Sequence, residues 1–280
     1  MHRSCALVLV VAWAAAAQAQ EAAEPFEVDL GLDLPLAIGV TAAGLLPELF
    51  KGELAGPWCG TSCDPERLNA LDRTVVGNHS ALADGFSDGL IVTNLALPHL
   101  LGAIDRLATS SSGGWRGYGQ DTMILAESLA VSFTLNNLVK YAVRRPRPYV
   151  YDDTLSDAER TKPDATLSFY SGHTSSSFCM ATAYSFLFTE RHRGSPLVIP
   201  VWLGTHLLAA ATGVLRVGAG KHFWTDVLTG AVVGSAVGLI VPWLHRKGGE
   251  PPPGQALTAD RGSRFSPMVM GNGVGFAWIW

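Results

Sequence analysis

Long apolar stretches separated by short polar segments make up most of this chain. The apolar stretches are rich in alanine, leucine and glycine and lack strict alternation of apolar and polar residues, so they predict helices rather than half-buried strands. Candidate helices cover approximately residues 85–105, 121–144, 174–191, 196–216 and 224–245. We therefore predict an all-α helical bundle with about five membrane-embedded helices.

The last two candidate helices carry the strongest membrane signal. His206 is the only acidic or basic residue in 197–215, and 227–244 is 18 residues without a charge, close to the roughly 20 that cross a bilayer. Charged residues make up 16% of the chain, against roughly 25% in soluble domains. Part of the surface is therefore expected to face lipid. The net charge of −4 gives no general attraction to nucleic acid, and no nucleic-acid partner is expected.

The N-terminus has the pattern of a secretory leader. A short basic region precedes apolar residues 6–17, and Ala17-Gln18-Ala19 is a small-x-small cleavage site, so residues 1–19 are predicted to be a signal peptide. An uncleaved membrane anchor is the alternative. Residues 34–47 are an apolar stretch of only 14 residues, which is short for a span and indicates an interfacial or core helix.

These features divide the chain into four parts. They are a signal peptide (1–19), an exported segment with the interfacial helix and a Cys59/Cys63 loop (20–84), a helical catalytic domain (85–247), and a Gly/Pro-rich linker with an apolar tail (248–280). Cys59 and Cys63 are expected to be a local disulfide or two free thiols, and they are weak evidence for zinc. With a cleaved leader and five spans, the polar loops near 144–171 and 216–222 face the extracytoplasmic side.

The first polar loop carries two cations suited to anion binding. Pro146 disfavours helical geometry at Arg145, so the helix that contains Lys140 should end near Arg144 and turn back. Lys140 and Arg147 then converge, and the planar guanidinium of Arg147 can bind two oxygens of one anion. A basic cluster that only binds lipid headgroups is the alternative, although the cluster lies on the side where the positive-inside rule predicts few cations.

The second and third polar segments supply a helix N-terminus, two histidines and a carboxylate. Ser171-Gly172-His173 precedes a candidate helix, whose first N–H groups form a natural anion site. His222 and Asp226 are four residues apart, so on a helix that begins near Lys221 the carboxylate can accept a proton from the imidazole and leave its other nitrogen free to attack. Arg216 can add a second guanidinium through the flexible glycines that follow it. Ordinary helix caps and a structural His–Asp pair are the alternatives.

The order and spacing of these residues resemble the type 2 phosphatidic acid phosphatase superfamily. Its pattern is Lys-x6-Arg-Pro, Pro-Ser-Gly-His and Ser-Arg-x5-His-x3-Asp, and the likeness extends over about 121–245. Tyr170 replaces the proline of the second motif and Leu215 the serine of the third. The fold implied is the helical bundle shared with the haloperoxidases.

The resemblance implies a role for each residue and no cofactor or metal. His222 is implied as the nucleophile that forms a phosphohistidine, Asp226 orients it, and His173 protonates the leaving oxygen. The residues implied to bind the phosphoryl oxygens are Lys140, Arg147, Ser171, Gly172 and Arg216. Because the two histidines must be in opposite protonation states, the rate is expected to have a bell-shaped dependence on pH.

The function expected from this pattern is metal-independent hydrolysis of a lipid phosphate or diphosphate at a membrane. A soluble periplasmic acid phosphatase of the same superfamily is the alternative, because Glu127, Asn136 and Asn137 make one candidate helix polar. A vanadium haloperoxidase and a non-catalytic lipid-binding membrane protein are further alternatives. The last of these predicts that His222→Ala leaves function intact.

Overall fold

The computed structural model describes residues 24–55, 59, 63–109, 114–247, 264–270 and 273–279. Six long helices account for most of them: α1 (Leu30–Leu49), α2 (Ala81–Ala108), α3 (Gly114–Val143), α4 (Gly172–Arg191), α5 (Val198–Gly218) and α6 (Trp224–Leu244). Single turns of helix occur at Lys51–Leu54, Pro65–Arg67, Ala70–Arg73, Pro148–Tyr151, Asp157–Arg160 and Pro163–Thr166. The bundle, up to Arg246, is one compact unit and is all-α, as predicted.

A separate unit follows from Lys247 to Trp280. Strands β1 (Arg264–Met270) and β2 (Gly273–Ile279) form an antiparallel hairpin in it, with Arg264 opposite Ile279. The expected linker, 248–263, lies outside the described residues, as does the expected signal peptide.

Helix α4 is the central element of the bundle. It packs against α2, α3, α5 and α6, and twelve of its side chains are buried, several of them serine or threonine. These hydroxyls find partners inside the protein. For example, Ser175 bonds Ser132 of α3 at 2.9 Å, and Ser185 bonds Thr205 of α5 at 3.0 Å. A helix surrounded by other helices can therefore carry more polar residues than one that faces lipid.

Within the described residues, five helices are long and apolar enough to cross a membrane. Their number agrees with the prediction, but one of the five is a different helix. They are α1, α2, α5, α6 and the helical segment that begins with α3, and they do not include α4. Large apolar side chains are exposed around the bundle, such as Val232 at 70% and Leu207 at 68%. Such a surface is that of a membrane protein, because water-soluble monomers rarely expose contiguous apolar patches of this extent.

The first helix differs most from its prediction. An interfacial helix was expected over about 34–47, but α1 has 20 residues and packs along α3. Before α1, Glu27 bonds the carbonyl of His245, which follows α6. After α1, Lys51 contacts Asp164 in the loop that precedes α4. Helix α1 therefore runs the length of the bundle, and Pro35 and Pro47 are tolerated near its two ends.

The bundle consequently has two ends with different contents. We call the end where α1, α3 and α5 finish and α2, α4 and α6 begin the site end, and the opposite end the distal end. The polar residues that suggested a soluble protein lie inside: Asn136 donates to the carbonyl of Tyr170 and Asn137 to that of Gly44. Glu127 is buried as well.

Candidate active site

The turn after α3 places Lys140 and Arg147 at the site end. Arg144 has a φ of 49°, the left-handed conformation that often ends a helix, and the chain then turns back as predicted. Arg147 is buried, and its guanidinium donates to the carbonyl of Asp164 at 2.8 Å and contacts the Asp164 carboxylate at 2.7 Å. Arg147 is thus held in place before any substrate arrives.

The Ser171-Gly172-His173 segment begins α4 next to Lys140. Ser171 is the N-cap and accepts the backbone N–H of Thr174. A Cβ on Gly172 would lie 2.7 Å from the Asn136 amide oxygen and 3.4 Å from the Lys140 ammonium, so only glycine fits. The N–H groups of Gly172 and His173 lie in the first helical turn, where no intrahelical acceptor is available. They are therefore free to bind an anion beside Lys140.

Arg216 reaches the site from the last turn of α5. Its guanidinium donates to Asp84 at 2.9 Å and to Asp88 at 3.3 Å, both in the first turns of α2. Asp88 also contacts the His173 imidazole at 3.0 Å. Asp84 and Asp88 carry only a weak signal in the sequence. Their spacing of four residues was the only signal, and it is common on exposed helices.

The loop between α5 and α6 brings His222 back toward Arg216. Gly220 has a φ of 67°, and a Cβ there would lie 1.9 Å from the Asn78 carbonyl oxygen, so the turn requires glycine. His222 is only 1% exposed. Its Nδ1 lies 2.8 Å from the Ser168 carbonyl oxygen, which accepts its proton and leaves Nε2 with a lone pair.

The predicted hydrogen bond between His222 and Asp226 is absent. The two side chains are 3.8 Å apart, because α6 begins at Trp224 rather than near Lys221 and His222 is not helical. Asp226 instead caps the helix by accepting the Phe223 N–H at 2.9 Å, and it also accepts the Ser168 hydroxyl at 2.5 Å. Asp226 therefore acts on His222 indirectly, by fixing Ser168.

Arg145 and Asp72 complete the support of Asp226. Arg145 donates to Asp226 at 2.6 Å and to Asp72 at 2.8 Å, and its guanidinium stacks 4.2 Å from the Phe223 ring centroid. Asp72 also accepts the Thr225 hydroxyl at 2.6 Å. Hydrogen bonds from Thr225 and Arg145 outweigh burial and lower the pKa of Asp72. Sequence reasoning missed Asp72, which lies 73 residues before Arg145 and 153 residues before Thr225.

The electrostatics confirm that the three polar segments meet. Burial is the largest cause that lowers the pKa of His222 well below its ordinary value, and the positive charges of Arg147, Arg216 and Lys140 lower it further. Burial and Arg216 lower the pKa of His173 to about 4, although the hydrogen bond to Asp88 opposes this. A neutral imidazole is therefore surrounded by cations at the site end.

The arrangement can bind a tetrahedral anion. Three cations, two backbone N–H groups and two imidazoles face one region, and hydrogen bonds to carboxylates fix both arginines. Among the described residues, one group of three histidine, cysteine or carboxylate side chains has metal-ligand spacing, and it lies at the distal end. Cys59 and Cys63 are joined in a disulfide.

Comparison with known proteins gives matches over this same region. The family model described as "PAP2 superfamily" matches residues 121–250. Phospholipid phosphatase 1 of Rattus norvegicus is 30% identical over 134 residues, which are 40% of this chain and 47% of that protein. Lipid A 1-phosphatase of Porphyromonas gingivalis is 35% identical over 89 residues, 30% of this chain and 18% of that protein. The chain thus spans about half the length of the rat relative and 18% of the Porphyromonas gingivalis relative.

A solved structure from Bacillus subtilis, described as a transmembrane PAP2 type phosphatidylglycerolphosphate phosphatase, is also similar. It is 17% identical with a TM-score of 0.46, over 76% of this chain and 94% of that one. The family match contains all three polar segments whose side chains meet at the site end. Over residues 121–250, this chain is similar to the PAP2 superfamily.

Proposed function

We propose that this protein is a metal-independent phosphatase that hydrolyses a lipid phosphate or diphosphate through a phosphohistidine on His222. The observation that carries the proposal is the convergence of Lys140, Arg147, Arg216 and His173 around the buried His222 imidazole. Phosphoryl transfer places charge on three equatorial oxygens, and fixed cations and N–H donors stabilise that charge.

The chemistry proceeds in two steps. In the first, the lone pair of His222 Nε2 forms a bond to phosphorus while the bond to the leaving oxygen breaks, and protonated His173 gives its proton to that oxygen. In the second, neutral His173 takes a proton from water, the water oxygen bonds phosphorus, and the N–P bond breaks to release phosphate. The Ser168 carbonyl holds the Nδ1 proton throughout, because it already accepts it at 2.8 Å.

Apolar side chains beside the site favour a lipid substrate. Leu82 is 75% exposed and Phe86 is 65% exposed, and they alternate along α2 with Asp84 and Asp88, which contact Arg216. A lipid whose tail lies against this exposed apolar surface has its headgroup at the same end of the bundle as the cations. The names of the phospholipid and lipid A phosphatase relatives agree with this substrate class.

We propose that the site end faces the extracytoplasmic side, as expected for an exported lipid phosphatase. Because α1 runs the length of the bundle, this orientation places Glu24 on the cytoplasmic side. Cleavage after Ala19 would leave the start of α1 on the extracytoplasmic side. If α1 spans the membrane, the site end would then face the cytoplasm. A cleaved leader and an extracytoplasmic site therefore cannot both be correct. Labelling of Thr161→Cys, but not Pro196→Cys, by an impermeant maleimide in intact cells would support the orientation, and the reverse pattern would refute it.

Phosphate release from a substrate panel tests the proposed reaction. Isoprenoid diphosphate, phosphatidate and a water-soluble phosphate ester are incubated with the detergent-solubilised protein, with and without a chelator. We expect release from at least one lipid substrate, faster than from the soluble ester, and the same initial rate with chelator present. Preference for the soluble ester would favour the acid phosphatase alternative, and halide oxidation after vanadate addition would favour a haloperoxidase.

The pH dependence should reflect the lowered pKa of His173. Neutral His222 persists well into the acid range, whereas the protonated fraction of His173 falls as pH rises above about 4. The value of kcat/KM should therefore decline from mildly acid to alkaline pH. In Asp88→Asn, His173 loses the negative charge that raises its pKa, and the decline should begin at lower pH.

A carboxylate away from the site provides the control for this profile. Asp157 pairs with Arg160 on an exposed turn, so Asp157→Asn should leave the pH profile unchanged. A rate that stays constant or rises across this pH range, with chemistry limiting, would contradict the role of His173.

A further inference from the structure

Three ionisable side chains meet at the distal end, far from the proposed active site. They are Asp33 in the first turn of α1, Glu127 in α3 and His245 directly after α6, and their ligand atoms all lie within 4.8 Å of one another. His245 follows Asp226 by 19 residues along α6, which corresponds to about 28 Å. The cluster therefore takes no direct part in phosphoryl transfer.

The tautomer of His245 places a lone pair between two carboxylates. Its Nδ1 lies 3.0 Å from the Val241 carbonyl oxygen, which accepts the Nδ1 proton. Its Nε2 lies 2.9 Å from a Glu127 oxygen and 3.7 Å from an Asp33 oxygen. A neutral imidazole in this position directs a lone pair at two carboxyl groups, so a proton or a metal ion must lie between the three groups. A histidine held through its other nitrogen is typical of metal ligands.

Glu127 provides a second, independent observation. Its side chain is only 6% exposed, and its Oε1 has no hydrogen-bond partner among the described residues. A buried carboxylate oxygen without a partner is costly in free energy, and a bound cation would remove that cost. The single contact to His245 leaves half of the carboxylate unsatisfied.

The other buried carboxylates at the distal end are neutralised differently. Asp121 contacts both Arg191 and Arg106, and Asp105 contacts Arg106 as well as His192. In the part of the chain that the structure describes, neither Asp33 nor Glu127 forms an ion pair with a lysine or arginine. The repulsion between the acceptor atoms of this cluster is therefore relieved by a proton that they share or by a metal ion.

We propose that Asp33, Glu127 and His245 bind a divalent transition-metal ion of the zinc class. Zinc bonds to nitrogen and oxygen are roughly 2.0–2.2 Å, which places tetrahedral ligand atoms about 3.4 Å apart. The observed separations of 2.9 and 3.7 Å bracket this value. Two carboxylates and a neutral imidazole around a divalent ion give no net charge, which suits a buried site. The ion would join the start of α1 to the end of α6.

Metal binding to the full-length protein in detergent tests this inference. The protein is stripped with a chelator, and Zn²⁺ or Co²⁺ alone is returned. We expect one bound equivalent of metal ion. Bound Co²⁺ should absorb visible light with the intensity typical of a low coordination number. The Tm should increase by roughly 5 °C when the free metal-ion concentration is about a hundredfold above Kd. Hydrolysis below the melting range should not change on stripping, because the active site uses no metal.

Variants assign the bound metal to this cluster. Glu127→Gln and His245→Gln should lose both the Co²⁺ absorption and the Tm increase. His192→Gln is the matched control, because His192 contacts Asp105 at the same end of the bundle and does not belong to the cluster. This variant should bind metal like the unaltered protein.

Two results would overturn the inference. The first is a Tm of the unaltered protein that Zn²⁺ does not raise. This measurement requires no variant to fold, and such a result indicates that a shared proton takes the place of the metal. The second is metal binding that persists in Glu127→Gln and in the milder Asp33→Asn, which would place the metal elsewhere.

Discussion

His222→Gln is expected to lower kcat for the lipid substrate by at least about 10⁴-fold, because the proposed nucleophile is lost. Glutamine has a similar volume and can still donate to the Ser168 carbonyl, so the buried position tolerates it better than alanine would. Steady-state phosphate release, with protein folding checked by Tm, gives the measurement.

His206→Gln is the matched control for this variant. His206 lies in α5 and contacts Thr182 and Trp202, away from the site end. Its replacement should leave kcat within a few fold of the unaltered protein. If His222→Gln retained most of the activity while remaining folded, the proposed nucleophile would be wrong, and a non-catalytic or differently organised site would be favoured.

His173→Gln is expected to reduce kcat/KM for an alkyl lipid phosphate by roughly 10²–10⁴-fold, the range of general acid catalysis. An aryl phosphate with an acidic leaving group needs little protonation, so its kcat/KM should fall much less. The comparison of the two substrates separates proton donation from phosphate binding, because loss of a binding contact would affect both alike.

The same variant should accumulate the covalent intermediate from the aryl phosphate. Without His173 to take a proton from water, hydrolysis of the N–P bond becomes slow while its formation remains fast. A burst of aryl alcohol followed by a slow steady state is expected. Equal losses for both substrates with no burst would show that His173 does not transfer protons.

The spacing of residues in the sequence was sufficient to predict the bundle and the meeting of its polar segments. The composition of the apolar stretches and their lack of strict alternation identified α2 to α6. Pro146 explained why the chain turns back near Arg144 and brings Lys140 and Arg147 together. These signals are local, since each depends on residues within one helix or one turn.

The features that sequence did not predict depend on contacts between distant segments. Asp84 and Asp88 are separated from Arg216 by more than 100 residues, and Asp72 from Thr225 by a comparable distance. The placement of His222 outside α6 was missed because Lys221 and Trp224 are equally plausible helix starts by composition. Because of that difference of about one turn, the His222 Nδ1–H donates to the Ser168 carbonyl rather than to the predicted acceptor, Asp226.

The length of α1 shows a further limit of predicting membrane spans by counting consecutive apolar residues. Asp33 and Glu48 appeared to bound the stretch, but Asp33 is buried against His245 inside the bundle. A charge with a buried partner does not end a membrane helix, and its partner lies 212 residues later in the chain. The first helix therefore became recognisable as a candidate span only when its packing was seen.

Rapid chemical quenching with a phosphate-labelled substrate tests the central claim most directly. The account predicts a transient label that is stable to alkali, labile to acid, and located by mass spectrometry on His222, with greater accumulation in His173→Gln. Label on another side chain, or turnover of the labelled substrate with inversion at phosphorus and no covalent label, would contradict it.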